Sequence, residues 1–79
     1  MKRLGTVQHL SGQGYMIVRG DTDACPGLNS IVLTKEARKV GKLVEVFGPV
    51  SRPYFSVEVF RGIKETEIRN LQNEKVYLR

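Results

Sequence analysis

Apolar and polar residues alternate most clearly at residues 54 to 59, where Tyr54, Ser56 and Glu58 interleave with Phe55, Val57 and Val59. A period of two marks a half-buried β-strand, because successive side chains leave a strand on opposite faces. Upstream, Val40, Leu43, Val44, Val46 and Phe47 form an apolar-rich run broken by Lys42 and Glu45, which predicts the strand before it. Near the start, Leu4, Thr6 and Gln8 alternate with Gly5, Val7 and His9 up to Leu10, and the turn signal SGQG at 11 to 14 follows. The β-rich YMIVR at 15 to 19 comes so soon after that turn that the two segments predict a hairpin.

The rest of the chain is punctuated by turn residues. GDTDACPGLN, residues 20 to 29, concentrates Gly, Asp, Asn and Pro and predicts a long surface loop; Ser30 to Leu33 resumes as a brief buried strand. TKEARK, residues 34 to 39, contains helix formers but spans too few residues for more than a helical turn. In the polar segment after Phe60, Ile63, Ile68 and Leu71 are spaced five and three apart, which predicts a loop with one turn of helix. KVYLR, residues 75 to 79, closes as a last strand. Six short strands without a long helix predict an all-β, six-stranded β-barrel, closure being the way a small sheet removes its exposed edges. The 79 residues make a single domain, 1–79, without internal repeats or low-complexity segments.

Within this pattern, VFGPVSRPYFSV at 46 to 57 places two prolines and a glycine between strands. Proline cannot donate to a strand ladder, so Pro49 and Pro53 belong to a turn or an edge, and Gly48 supports the turn. The resulting loop is stiff and has few hydrogen-bonding side chains. It suits docking, because little conformational entropy remains to be lost on binding; a tight β-turn with no further role is the alternative. Phe47 and Phe55 are expected inside, and Tyr54, of opposite parity to Phe55, is the aromatic placed to face a partner.

Charge and candidate chemistry change this picture little. Thirteen Lys and Arg against eight Asp and Glu give a net charge of +5. That suits RNA or an acidic partner, but the cations are dispersed among acids and form no arginine-rich block. One cysteine, Cys25, cannot make an internal disulfide or by itself a structural zinc site, and points to a reducing compartment. No apolar run approaches a membrane span and the first residues carry no signal-peptide pattern, so a cytoplasmic protein is expected. His9 and Cys25 are the single residues of their kinds, and no motif supports a nucleophilic pair. Asp21 and Asp23 read as solvated turn residues without the further oxygen ligands of a calcium site. SGQGY lacks the Lys-Ser/Thr of a phosphate loop and reads as hairpin chemistry.

MKRLGTVQHL, GYMIVR, LNSIVLTKEARKVGKLVEVFGPVSRPYFSV and EKVYLR resemble the archaeal form of the Gar-one family, the small β-barrel subunit of box H/ACA ribonucleoprotein pseudouridine synthases. The resemblance covers nearly the whole chain, and VGKLVEVFGPVSRPY carries its most specific part. It implies a six-stranded barrel related to translation-factor barrel domains and an accessory subunit with no catalytic residue, cofactor or metal. Its implied partner is the catalytic domain of the dyskerin-type pseudouridine synthase. There it would promote substrate RNA placement and turnover through a mobile loop of the enzyme, without touching the guide RNA of the particle. On this reading Val40, Gly41, Gly48, Pro49, Val50, Pro53 and Tyr54 form a protein-interface patch with Arg52 at its rim. The glycine-arginine-rich extensions of eukaryotic relatives and the lysine-rich tail of many archaeal ones are not in this sequence, so roles of such tails do not transfer. Two readings compete with this one: a free-standing basic barrel that binds RNA directly, and a small enzyme built on His9 and Cys25.

Overall fold

The computed structural model describes residues 2–11, 13–20, 27–49 and 51–79. Strands β1 (Lys2–Leu10), β2 (Tyr15–Gly20), β3 (Ile31–Leu33), β4 (Lys39–Phe47) and β5 (Tyr54–Val59) are followed by helix α1 (Glu65–Asn70) and strand β6 (Lys75–Leu78). The strands close into a barrel in the order β1-β2-β5-β4-β3-β6, every neighbouring pair antiparallel. The short β6 is the closing piece, pairing with β1 on one side and β3 on the other. Six strands, a barrel and one short helix agree with the expectation from sequence.

Alternation fills the interior. Val7, Met16, Val18, Val32, Val40, Leu43, Phe55, Val57 and Val76 are almost wholly buried, and Leu4 joins them. So small a barrel needs sharp bends, and four of its strand pairs carry register shifts, at Arg3/Gly5, Val7/His9, Val32/Leu33 and Leu43/Glu45. Glycine lets strands meet at the tightest crossings. A Cβ on Gly5 would run into the Arg19 carbonyl oxygen, and one on Gly41 into the Glu58 carbonyl oxygen and, at 2.8 Å, Val57 Cγ1.

The two ends of the barrel differ. At one end lie the β1–β2 turn, the β3–β4 turn and the β5–β6 connection, which contains α1. Gly62, at φ +91°, turns the chain after β5, and α1 lays Ile68 into the barrel mouth at 2% exposure, with Ile63 and Leu71 packed beside it. The spacing of five and three that fits no single helix face therefore describes a helix plus its two flanks. At the other end lie the β4–β5 connection and the 27–30 turn before β3.

Two expectations are corrected. TKEARK is not a helical turn but the reversal between β3 and β4. The Ala37 N–H donates to the Thr34 carbonyl (2.9 Å), the Thr34 N–H to the Arg38 carbonyl (3.0 Å), and Ala37 sits at φ +65°. The antiparallel pairing of β3 with β4 demands a reversal there, and this outweighs the helix propensity of Lys-Glu-Ala. Phe47 is not inside; it is 39% exposed. Leu43 points into the core, and simple alternation would put Phe47 there too. The register shift between Leu43 and Glu45 inserts one residue, so Val46 opposes the buried Phe55 and Phe47 opposes Tyr54 on the outer face.

Candidate docking surface

The β4–β5 connection is a hairpin tip held at three points. Gly48 takes φ +92°, a backbone conformation that side chains with a Cβ disfavour, and the chain turns there out of β4. The Arg52 N–H donates to the Pro49 carbonyl at 3.1 Å and closes the turn. The Gly20 N–H then donates to the Pro53 carbonyl at 2.8 Å, tying the tip to the end of β2. Pro53 is buried, and a Cβ on Gly20 would lie 3.2 Å from its Cγ, so ring and glycine are in close contact. Between two prolines and two backbone ties the tip has little freedom left to lose.

The cross-strand register places a defined row of side chains on the outside of the barrel next to this tip. Phe47 opposes Tyr54, Tyr54 opposes Arg19, Arg19 opposes Thr6 and Thr6 opposes Lys75. Phe47 and Tyr54 meet edge to face, ring centroids 5.8 Å apart at 85°. At the far end of the row the Lys75 ammonium donates to the Thr6 hydroxyl at 2.7 Å. The next row along the strands is Glu45, Ser56, Ile17 and His9. Phe47 and Leu28, the latter 60% exposed in the turn before β3, are the large apolar side chains most open to solvent among the described residues. That turn is tied to β4 by the Asn29 N–H, which donates to the Leu43 carbonyl at 2.6 Å.

Of the interface residues expected from sequence, Gly48, Pro49, Arg52 and Tyr54 share this surface, while Val50 lies outside the described residues. Pro53 belongs to it as a buried anchor and not as a contact. Val40 and Gly41 do not belong. Val40 is 1% exposed in the core and its carbonyl accepts the Phe60 N–H at 3.0 Å, at the helix-capped end of the barrel. Gly41 is buried against Glu58. At about 3.3 Å per strand residue, some 20 Å of β4 separates them from the tip. The Val40 side chain fills the core, and the absence of one at Gly41 lets β4 approach β5 closely.

Sequence reasoning missed Phe47, Arg19 and Gly20 as parts of the surface. Phe47 is hidden by the register shift. Arg19 and Gly20 are 33 residues before Arg52 and Pro53 in sequence, and only the β2–β5 pairing brings them together; the signal was the YMIVRG strand ending in Arg-Gly.

Exposed ion pairs lie elsewhere: Arg38–Glu67 at 2.9 Å, Lys42–Glu58 at 3.9 Å and Arg69–Glu65 at 2.8 Å. Arg19 and Arg52 have no such partner among the described residues, and with Gly20 and Ser51 they line an open pocket of about 250 Å³.

His9 is exposed on β1. Cys25, Asp21 and Asp23 lie outside the described residues. Among the described residues no three His, Cys, Asp or Glu side chains gather as metal ligands, and no helix is long and apolar enough to cross a membrane. The SGQGY segment is the hairpin turn expected of it: the Ser11 N–H donates to the Tyr15 carbonyl at 2.6 Å and Gly14 takes φ +84°.

The whole chain, residues 1–79, matches the family model described as the Gar1/Naf1 RNA binding region. A protein of Methanothermobacter thermautotrophicus, itself without an assigned function, is 33% identical over 78 residues, covering 99% of this chain and 83% of that one. The probable H/ACA ribonucleoprotein complex subunit 1 of Dictyostelium discoideum is 25% identical over 75 residues, 95% of this chain and 32% of its own length. This chain thus spans about a third of that eukaryotic subunit. Among solved structures, the Gar1 domain of Naf1 superposes with a TM-score of 0.76 over 98% of this chain and 82% of that one. At 20% identity that likeness establishes the fold, the closed six-stranded barrel.

Proposed function

The chain belongs to the Gar1/Naf1 family, and from that premise we propose that it is a non-catalytic accessory subunit of a box H/ACA RNA-guided pseudouridine synthase in the cytoplasm of an archaeon. It binds the catalytic domain of the dyskerin-type synthase and promotes substrate RNA placement and turnover. The other H/ACA proteins and the guide RNA are its neighbours in the particle, without direct guide-RNA contact. Eukaryotic relatives named as H/ACA subunits support a place in that particle.

The observation that carries the docking element is the braced hairpin tip. A loop already fixed by Pro49, Pro53 and the Gly20–Pro53 hydrogen bond displays an aromatic pair, the exposed Phe47 and the half-buried Tyr54, on the outside of the barrel. Rigid display of aromatic side chains keeps the entropic cost of association low, and buried aromatics are frequent anchors of protein interfaces. The docking patch is therefore Phe47, Gly48, Pro49, Arg52 and Tyr54, joined by Arg19, with Pro53 bracing it from beneath.

The test is pseudouridine formation by the synthase with guide RNA under multiple turnover, with and without this chain. Faster turnover in its presence, and no product from the chain alone, is the expected result; an unchanged rate would contradict an accessory role. Direct RNA binding, favoured by the net charge of +5, is the second reading. It predicts that the chain binds guide RNA in the absence of the synthase, with an affinity that falls steeply as salt rises.

A further inference from the structure

The open pocket beside the aromatic pair is lined by two arginines from separate strands. Arg19 ends the outward row of β2, and Arg52 leads into β5; the Gly20–Pro53 hydrogen bond at 2.8 Å and the Arg52–Pro49 turn bond at 3.1 Å bring them to the same pocket with Ser51. Both side chains are exposed, and neither has a carboxylate partner among the described residues, whereas Arg38, Lys42 and Arg69 each have one. Two guanidinium groups facing one pocket repel each other, and an anion seated between them turns that repulsion into two charge-assisted contacts. The planar fork of each guanidinium matches a carboxylate in two-point geometry.

We propose that Arg19 and Arg52 form a two-pronged receptor for an acidic side chain, an Asp or Glu that the protein partner presents when it docks on the hairpin tip. The inference rests on the docking function proposed above and extends it by naming the chemistry the partner must supply. Its surroundings favour a protein carboxylate over an RNA phosphate. Tyr54 is the cross-strand neighbour of Arg19, and it packs edge to face with Phe47, so the two rings do not stand apart as two free stacking platforms. The neighbouring row carries Glu45, whose charge opposes a phosphate backbone crossing this face. Arginine beside tyrosine is the composition of the centre of a protein interface, and the Ser51 hydroxyl adds a donor to the pocket.

The test is calorimetric titration of the full chain into the purified dyskerin-type catalytic subunit without RNA, at low and high salt. Three forms are compared: wild type, the double variant Arg19→Ala with Arg52→Ala, and the double variant Arg19→Lys with Arg52→Lys. The alanine pair is expected to weaken binding by roughly tenfold or more and to remove most of the salt dependence that wild type shows. The lysine pair, which keeps the charges and loses the fork, is expected to recover the salt dependence and part of the affinity. Unchanged melting temperatures, expected for exposed side chains, keep the comparison one of binding. If wild type binds and the alanine pair binds equally well with the same salt dependence, the receptor is refuted while the docking function stands. If the alanine pair loses affinity for guide RNA alone and keeps its affinity for the synthase subunit, the pocket is a phosphate site and the inference is overturned. If wild type does not bind the synthase subunit at all, the docking function fails and the receptor with it.

Discussion

The two ends of this barrel solve opposite problems, one with the fifteen residues between β5 and β6 and the other with the six between β4 and β5. At one end the connection between β5 and β6 spends its apolar residues inward: Ile68 plugs the mouth, Ile63 and Leu71 pack against the plug, and the outward residues Glu65, Thr66 and Arg69 are polar. At the other end the connection between β4 and β5 is anchored through backbone hydrogen bonds and the buried Pro53, and its aromatic neighbours Phe47 and Tyr54 lie on the outer face of the sheet. An end that buries its apolar side chains is finished; an end that braces its backbone and leaves an aromatic exposed has surface to offer. On the function proposed above, the contrast assigns partner recognition to the tip and a structural role to α1.

Substitutions sharpen that contrast, the strongest being those that break the barrel itself. A Cβ on Gly5 would collide with the Arg19 carbonyl and come within 3.0 Å of Gly20 Cα, where only rigid backbone could give way. Gly5→Ala is expected to cost about 3 kcal/mol or more, leaving little folded protein in a domain this small, as chemical denaturation would show. A wild-type unfolding midpoint would mean that β1 and β2 are further apart than described.

Ile68→Ala removes the plug and leaves a cavity at the barrel mouth, with an expected loss of about 2–4 kcal/mol in the same measurement. Under conditions where the variant remains folded, its affinity for the synthase subunit should equal that of wild type; a matching loss of binding would bring α1 into the interface. Tyr54→Ala should do the reverse, weakening binding by about 1–3 kcal/mol with a small change in stability. Unfolding of this variant would make the half-buried tyrosine a structural residue. Smallest is Glu65→Ala, which removes an exposed pair with Arg69 one turn along α1 and should cost about 0.3–0.5 kcal/mol at low salt and less at high salt. An effect of several times that size would show that the helix matters beyond the packing of Ile68.

Much of the fold is legible in the sequence because a closed barrel imposes the same rule on every strand. Alternation around Leu4–Leu10 and Tyr54–Val59, and the turn residues in SGQG and GPVSRP, locate strands and connections from local information alone. What was illegible depends on pairing across the barrel. The extra residue between Leu43 and Glu45 reverses the facing of Phe47, and nothing in GKLVEVF marks the position of that shift. Val40 and Gly41 stand in the same stretch of sequence as the tip, yet the nine-residue strand β4 puts them at the opposite end. Arg19 joins Arg52 only because β2 lies beside β5. The turn at Thr34–Arg38 escapes a local reading because the helix propensity of Lys-Glu-Ala is local and the reversal the segment must make is not. Sequence periodicity thus reports which face of a strand a residue takes until a bulge intervenes, and never which residues of other strands will stand beside it.

The central claim, that the barrel meets its partner through the braced tip and not through the helix-capped end, is tested most directly by backbone amide chemical shifts of the labelled chain during titration with the dyskerin-type catalytic subunit. The account predicts perturbations concentrated at Phe47 to Tyr54 and at Arg19 and Gly20, with the amides of α1 and of the Thr34–Arg38 turn unmoved. Perturbations concentrated on α1 and that turn, with a silent tip, would contradict it.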